Sequence, residues 1–270
     1  MKIYKKALLY GVFSLVLYIS GGCNSNIDLE PEGIITASGY FKSAEDYDKA
    51  LNALYQRLNV NNYDLWMDAV TDNGLVTHSW NRGYDLGRGI GNTASSFPAD
   101  KWNNGYVSVQ RANNVINNID KYEWPGGEND ADRNQVLGEA QALRAYFYLD
   151  LVSIFGHIMF YTENPATVAE SENIEQIQDT KVVFDFILDD LEKAIQGLPE
   201  KAVNKSKMGK AAARLLRARA AAFAAGYLND KSYFKITLDE TSQLVASAPT
   251  LADYSELFVS GCETLDEVML

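Results

Sequence analysis

The segment from Asp132 to Phe155 constrains the fold more than any other part of the chain. Val136, Ala140, Leu143, Phe147, Leu151 and Ile154 recur at helical spacing, and from Ala145 onward the segment is apolar almost all round. A surface helix keeps one polar face, so a helix without one has to be covered on every side. The rest of the chain is therefore expected to wrap this segment, and its periodicity says that the covering elements are helices. Ala44, Tyr47, Ala50, Leu51, Leu54, Tyr55 and Leu58 predict a first helix over 44–58, with Ser43 and Asp46 as its capping pair. Trp102, Tyr106, Val109, Ala112, Val115, Ile116 and Ile119 predict a second over 101–120, closed by Pro125, Gly126 and Gly127. The central helix is the third, and a fourth spans 180–198 and stops at Pro199. An Ala-rich fifth over 207–228 and a sixth over 233–246 complete the set.

The fifth helix carries Lys207, Lys210, Arg214 and Arg217 as one basic stripe opposite a small-residue face. Small residues let helices approach closely, as in stacked helix pairs. The expected class is thus all-α, a tetratricopeptide-like helical array with long irregular loops, although no clean period of about 34 residues is present. The stripe reads as a solvated face or as the salt-bridge partner of acidic helices such as the fourth, which bears Asp185, Asp189 and Glu192.

The first residues are an address. Lys2, Lys5 and Lys6 precede a nearly all-apolar run to Ile19, then Ser20, Gly21, Gly22 and Cys23, which reads as a secretory signal peptide. Small residues running into a single Cys resemble a bacterial lipobox, with Cys23 as the lipidated residue; ordinary secretion with Cys23 free is the alternative. Ser20 departs from the aliphatic residue preferred at its position. The domain expectation is a signal peptide at 1–22, a lipidated polar tether at 23–39 and a helical domain at 40–270.

Several chemistries are excluded. A net charge of −12, from 24 basic and 36 acidic residues, repels phosphate backbones, so no nucleic-acid partner is expected. Two histidines and two cysteines cannot build a zinc site or a disulfide framework, and no metal or cofactor is expected. Gly87, Gly89 and Gly91 lack the spacing of a dinucleotide loop, and Asp130, Asp132 and Asn134 lack the Gly and Glu of a calcium loop and read as helix-start residues. No nucleophile with its base can be named, and no carboxylate pair stands out, so no catalytic residue is assigned. The Asn/Gly-rich stretch 59–100 holds Trp66, Trp80 and Tyr84 without sustained periodicity, and long irregular loops are often functional. Flat exposed rings stack on sugars and neighbouring Asn side chains bind hydroxyls, whereas packing beneath the loop is the plainer role for the same rings.

Five ordered segments carry a family resemblance: Leu29 to Gly33; Trp102 with Arg111 to Ile116; Gly138 to Tyr148 leading to Phe155 and Gly156; Asp190 to Ala194 with Leu198 and Pro199 and the Lys210 to Ala213 helix; and Tyr254 to Phe258 before Glu267 and Val268. In these the chain resembles the SusD/RagB outer-membrane lipoproteins. That resemblance implies a surface-exposed, lipid-anchored protein of the outer membrane that binds oligosaccharides, without catalysis, and delivers them to a SusC-like TonB-dependent transporter. Carried onto this chain, the ligand arc maps loosely onto Trp80, Asn81 and Tyr84. The pattern Phe-Gly-Asp-x-Pro-Leu is replaced by Phe155 to Phe160, which alters a turn after the central helix. Family members run much longer, so the resemblance also implies an N-terminal part that lacks the C-terminal half of the fold. A surface protein-binding scaffold of tetratricopeptide type, without sugar binding, is the competing expectation.

Overall fold

The computed structural model describes residues 37–58, 67–68, 70–80, 83–92, 95–202, 206–248 and 251–260. Cys23, the signal segment, Trp66 and Asn81 lie outside them. The chain divides into two compact units, Met1–Tyr40 and Phe41–Leu270. In the first, the described residues form one helical turn, Ala37–Tyr40. Among the described residues of the second are six long helices: α1 (Ala44–Tyr55), α2 (Ser96–Asn117), α3 (Ala131–Phe155), α4 (Thr180–Gly197), α5 (Lys210–Tyr227) and α6 (Tyr233–Ala246). No strand occurs among the described residues; a single antiparallel bridge joins Met159 to Gln176.

The helix ends follow local chemistry. The Asp46 carboxylate accepts hydrogen bonds from the Ser43 backbone N–H (2.9 Å) and hydroxyl (2.8 Å), which fixes the start of α1. Its expected last turn, 56–58, tightens instead into bonds from Arg57 N–H to Leu54 and from Leu58 N–H to Tyr55. α2 begins at Ser96 rather than Lys101. Pro98 lies in its first turn, where the missing N–H has no intrahelical partner to lose. Asp130 caps α3 by accepting from the N–H groups of Asp132 and Arg133, as the helix-start reading of these acids expects. Gly156, at φ +70°, ends it in a conformation that side chains rarely adopt.

α3 is the central helix. It packs against α1, α2 and α4, while α4 leans on α5 and α5 on α6, so the array builds from sequence neighbours. Ala140, Leu143, Phe147, Tyr148, Leu151 and Val152 on α3 are fully enclosed, as the absence of a polar face requires. Ala213, Ala220, Ala221 and Ala224 give α5 the small face that lets it approach its neighbours. The basic stripe is a set of salt bridges. Lys207 pairs with Asp48, Lys210 with Glu200, Arg214 with Glu240, and Arg217 with both Glu240 and Glu192.

The segment after Gly156 is held by tyrosines rather than by a strand. The Tyr106 hydroxyl donates to the Met159 carbonyl (3.0 Å) and accepts from the Met159 N–H (2.8 Å). Tyr148 does the same with the carbonyl and N–H of Tyr161. Each hydroxyl satisfies both backbone groups of one residue, the service a neighbouring strand would perform. Within the segment 155–160 that departs from the family pattern, Ile158 is wholly buried in the core.

Candidate functional site

The loop between α1 and α2 is where the described residues leave apolar groups in solvent before the second helix. Leu75, Trp80 and Ile90 are all exposed, and Trp80 at 77% excludes the reading that this ring packs beneath the loop. The indole lies 5.3 Å from the His78 ring, centroid to centroid, tilted by 44°. Thr77 Oγ1 sits 2.9 Å from His78 Nδ1.

Tyr84 has a different environment. It opens the single helical turn Tyr84–Gly87, entered through Gly83 at φ +81°. The Arg88 guanidinium lies 3.9 Å from its ring centroid and donates to the Val76 carbonyl. One face of Tyr84 is thus already stacked on a cation, which leaves Trp80 as the freer ring.

Between Trp80 and the start of α2 lies a pocket of about 90 Å³, lined by Ser79, Trp80, Gly83, Asp85, Leu86, Ser95, Ser96 and Phe97. Asp85 Oδ2 accepts from the Ser95 hydroxyl at 3.0 Å, and Ser95 Oγ in turn accepts from the Asn92 N–H at 3.1 Å. The Ile90 N–H closes the loop onto the Asp85 carbonyl at 2.9 Å. These bonds fix a carboxylate at the wall of a small, mostly polar pocket with an indole at its rim. Ser79, Asp85, Ser95 and Ser96 were not distinguishable in sequence, because nothing in their spacing separates them from other loop residues. Among the described residues no three His, Cys, Asp or Glu side chains come together to hold a metal, and no helix is long and apolar enough to cross a membrane.

Residues 28–221 match a family of SusD-like proteins described as starch-binding and associating with the outer membrane. A SusD-like protein of Formosa agariphila is 27% identical over 202 residues, which cover 73% of this chain and 39% of that one. Among solved structures, surface glycan-binding protein A of Bacteroides uniformis superposes with a TM-score of 0.68 at 22% identity, covering 83% of this chain and 51% of that one. The protein of the same name from Bacteroides thetaiotaomicron, solved in complex with laminarihexaose, superposes at 0.64 with 21% identity, covering 80% and 46%. The chain spans about half of the length of these structures, and their likeness concerns the tetratricopeptide-like helical fold. With the matched residues running from before α1 into α5, the chain belongs to the SusD-like family.

Proposed function

We propose that this protein binds oligosaccharides at the cell surface, without catalysis, and passes them to a SusC-like TonB-dependent transporter in the outer membrane. The observation that carries the reading is Trp80, whose indole stands 77% exposed at the rim of a polar pocket. An exposed indole offers a flat apolar face to the C–H side of a pyranose, and hydroxyl and carboxylate groups beside it bind the sugar's rim. The laminarihexaose complex of a structural relative supports the ligand class. Residues 1–22 are proposed as a signal peptide, Cys23 as the lipidated residue, 23–39 as the tether and 40–270 as part of a longer SusD-like domain. Trp80 is proposed as the principal contact, and Asn81 and Tyr84 as further ligand-binding residues.

The test is calorimetric titration of the protein with laminari- and malto-oligosaccharides, alongside Trp80→Ala. Binding that the substitution abolishes without changing the helical circular dichroism supports the reading. Unchanged affinity removes Trp80 from the site. If neither sugar binds, the protein-binding scaffold is favoured, a role to which the exposed Leu238 and Val245 of α6 would suit it.

A further inference from the structure

The pocket beside Trp80 is too small to enclose a sugar ring. An enclosed cavity that holds benzene measures about 150 Å³, whereas this one measures about 90 Å³. A pyranose stacked on the indole can therefore insert only a substituent. The lining says which one. Ser79 and Ser96 supply hydroxyls, and Leu86 and Phe97 leave only a narrow apolar edge in an otherwise polar lining. Asp85 supplies a half-buried carboxylate whose Oδ2 is engaged by Ser95, while Oδ1 has no hydrogen-bond partner among the described residues. The neighbouring Arg88 is turned to the Tyr84 ring and the Val76 carbonyl.

Resting on the glycan-binding reading above, we propose that this pocket is a specificity subsite for the C6 hydroxymethyl group of a neutral hexose. The hydroxyl donates to Asp85 Oδ1 and accepts from a serine, and the methylene rests on the narrow apolar edge. A pentose has nothing to place there. A uronic acid presents a second carboxylate, which cannot donate to Asp85 and is repelled by it. The chain's net charge of −12 acts in the same direction against polyanionic glycans.

The experiment compares soluble starch and laminarin, each in native form and after selective oxidation of C6 to the carboxylate, with xylan as the ligand that lacks C6. Affinities are measured by titration on the full chain and on Asp85→Asn. A hydrogen bond to a charged group predicts that a native glucan binds at least about tenfold tighter than its oxidised form and than xylan. Asp85→Asn keeps the acceptor for Ser95 and removes the charge, so it is expected to narrow the preference over the oxidised form. Equal binding of native and oxidised glucan, or a preference that Asp85→Asn leaves intact, overturns the subsite while glycan binding stands. Binding of neither native glucan overturns the glycan reading itself, and the subsite with it.

Discussion

Arg144 of α3 and Asp190 of α4 form a buried two-pronged ion pair, with Nε to Oδ2 at 2.7 Å and Nη2 to Oδ1 at 2.9 Å. The third guanidinium nitrogen donates to Asn113 Oδ1 of α2 at 2.8 Å, and the guanidinium carbon lies 4.9 Å from the Phe186 ring centroid. Burial pushes the Asp190 carboxyl upward, and the two hydrogen bonds from Arg144 pull the other way. One side chain thus ties three consecutive helices at a single height. Arg144→Met leaves a buried carboxylate without its counter-ion and is expected to cost about 3–5 kcal/mol, whereas Arg144→Met with Asp190→Leu is expected to recover most of it. Urea unfolding of the two variants checks this; equal losses would show that packing around the pair, rather than the unpaired charge, sets the cost.

Glu139 is wholly enclosed, accepting from the Tyr55 hydroxyl (2.9 Å) and the Gln135 amide (2.8 Å), with Lys207 Nζ at 3.8 Å. Burial raises its pKa above the ordinary 4.5, and the Gln135 bond, Lys207 and the Tyr55 bond offset this only in part. A raised carboxyl favours folding in its protonated form, so that contribution is present below pH 4.5 and is lost as pH rises through the folded-state value. Glu139→Gln is accordingly expected to flatten the dependence of melting temperature on pH between 4 and 7, while its NH2, facing the Tyr55 hydroxyl, costs one of the two hydrogen bonds at every pH. Melting curves across that range decide the sign.

Removing the Tyr106 hydroxyl as Phe strips both the N–H and the carbonyl of Met159 of their partner. The expected destabilisation is about 1–3 kcal/mol, with faster amide exchange confined to the segment around 157–161. Exchange spread evenly over α2 instead would mean that the clamp is not local.

Gly197 ends α4 with no room for a side chain, since a Cβ there would stand 2.6 Å from the Asn134 carbonyl oxygen. The obstacle is backbone of α3 and cannot swing aside. Gly197→Ala should cost about 1–3 kcal/mol by overpacking, despite the better intrinsic helix propensity of Ala. A gain in stability on thermal denaturation would contradict the close approach.

Trp80→Ala removes a ring that is 77% exposed. Its effect on stability should lie within about 0.5 kcal/mol while its effect on sugar affinity is large, and the contrast between melting and titration separates a binding role from a structural one.

What could be read from the sequence tracked how strongly each residue's neighbours in the chain determine its surroundings. α6 was legible to the residue and α3 and α4 to within one, because periodicity, Asp130, Pro199 and Gly156 are all local signals. The first turn of α2, 96–100, lies before the apolar repeat that begins at Trp102, so periodicity does not mark it. Partners brought together by tertiary packing were invisible: Asp190 read as one more acid, and Tyr106 and Tyr148 read as core rings with no hint of their hydroxyls' role. The exposure of Trp80 was equally unreadable, since an aromatic in an aperiodic loop carries no face. Asp85 shows the limit most clearly, because its position beside the indole depends on the Ser95 contact that closes the loop.

Since α1 and α2 both lean on α3, the loop joining them is not needed to bring them together. Lengthening such a connection is cheap, about 0.6 kcal/mol for each doubling. The chain between residues 59 and 95 can therefore change by insertion and replacement while the helical frame is left alone. In evolutionary terms, the array is a chassis that tolerates change in this loop at little cost in folding.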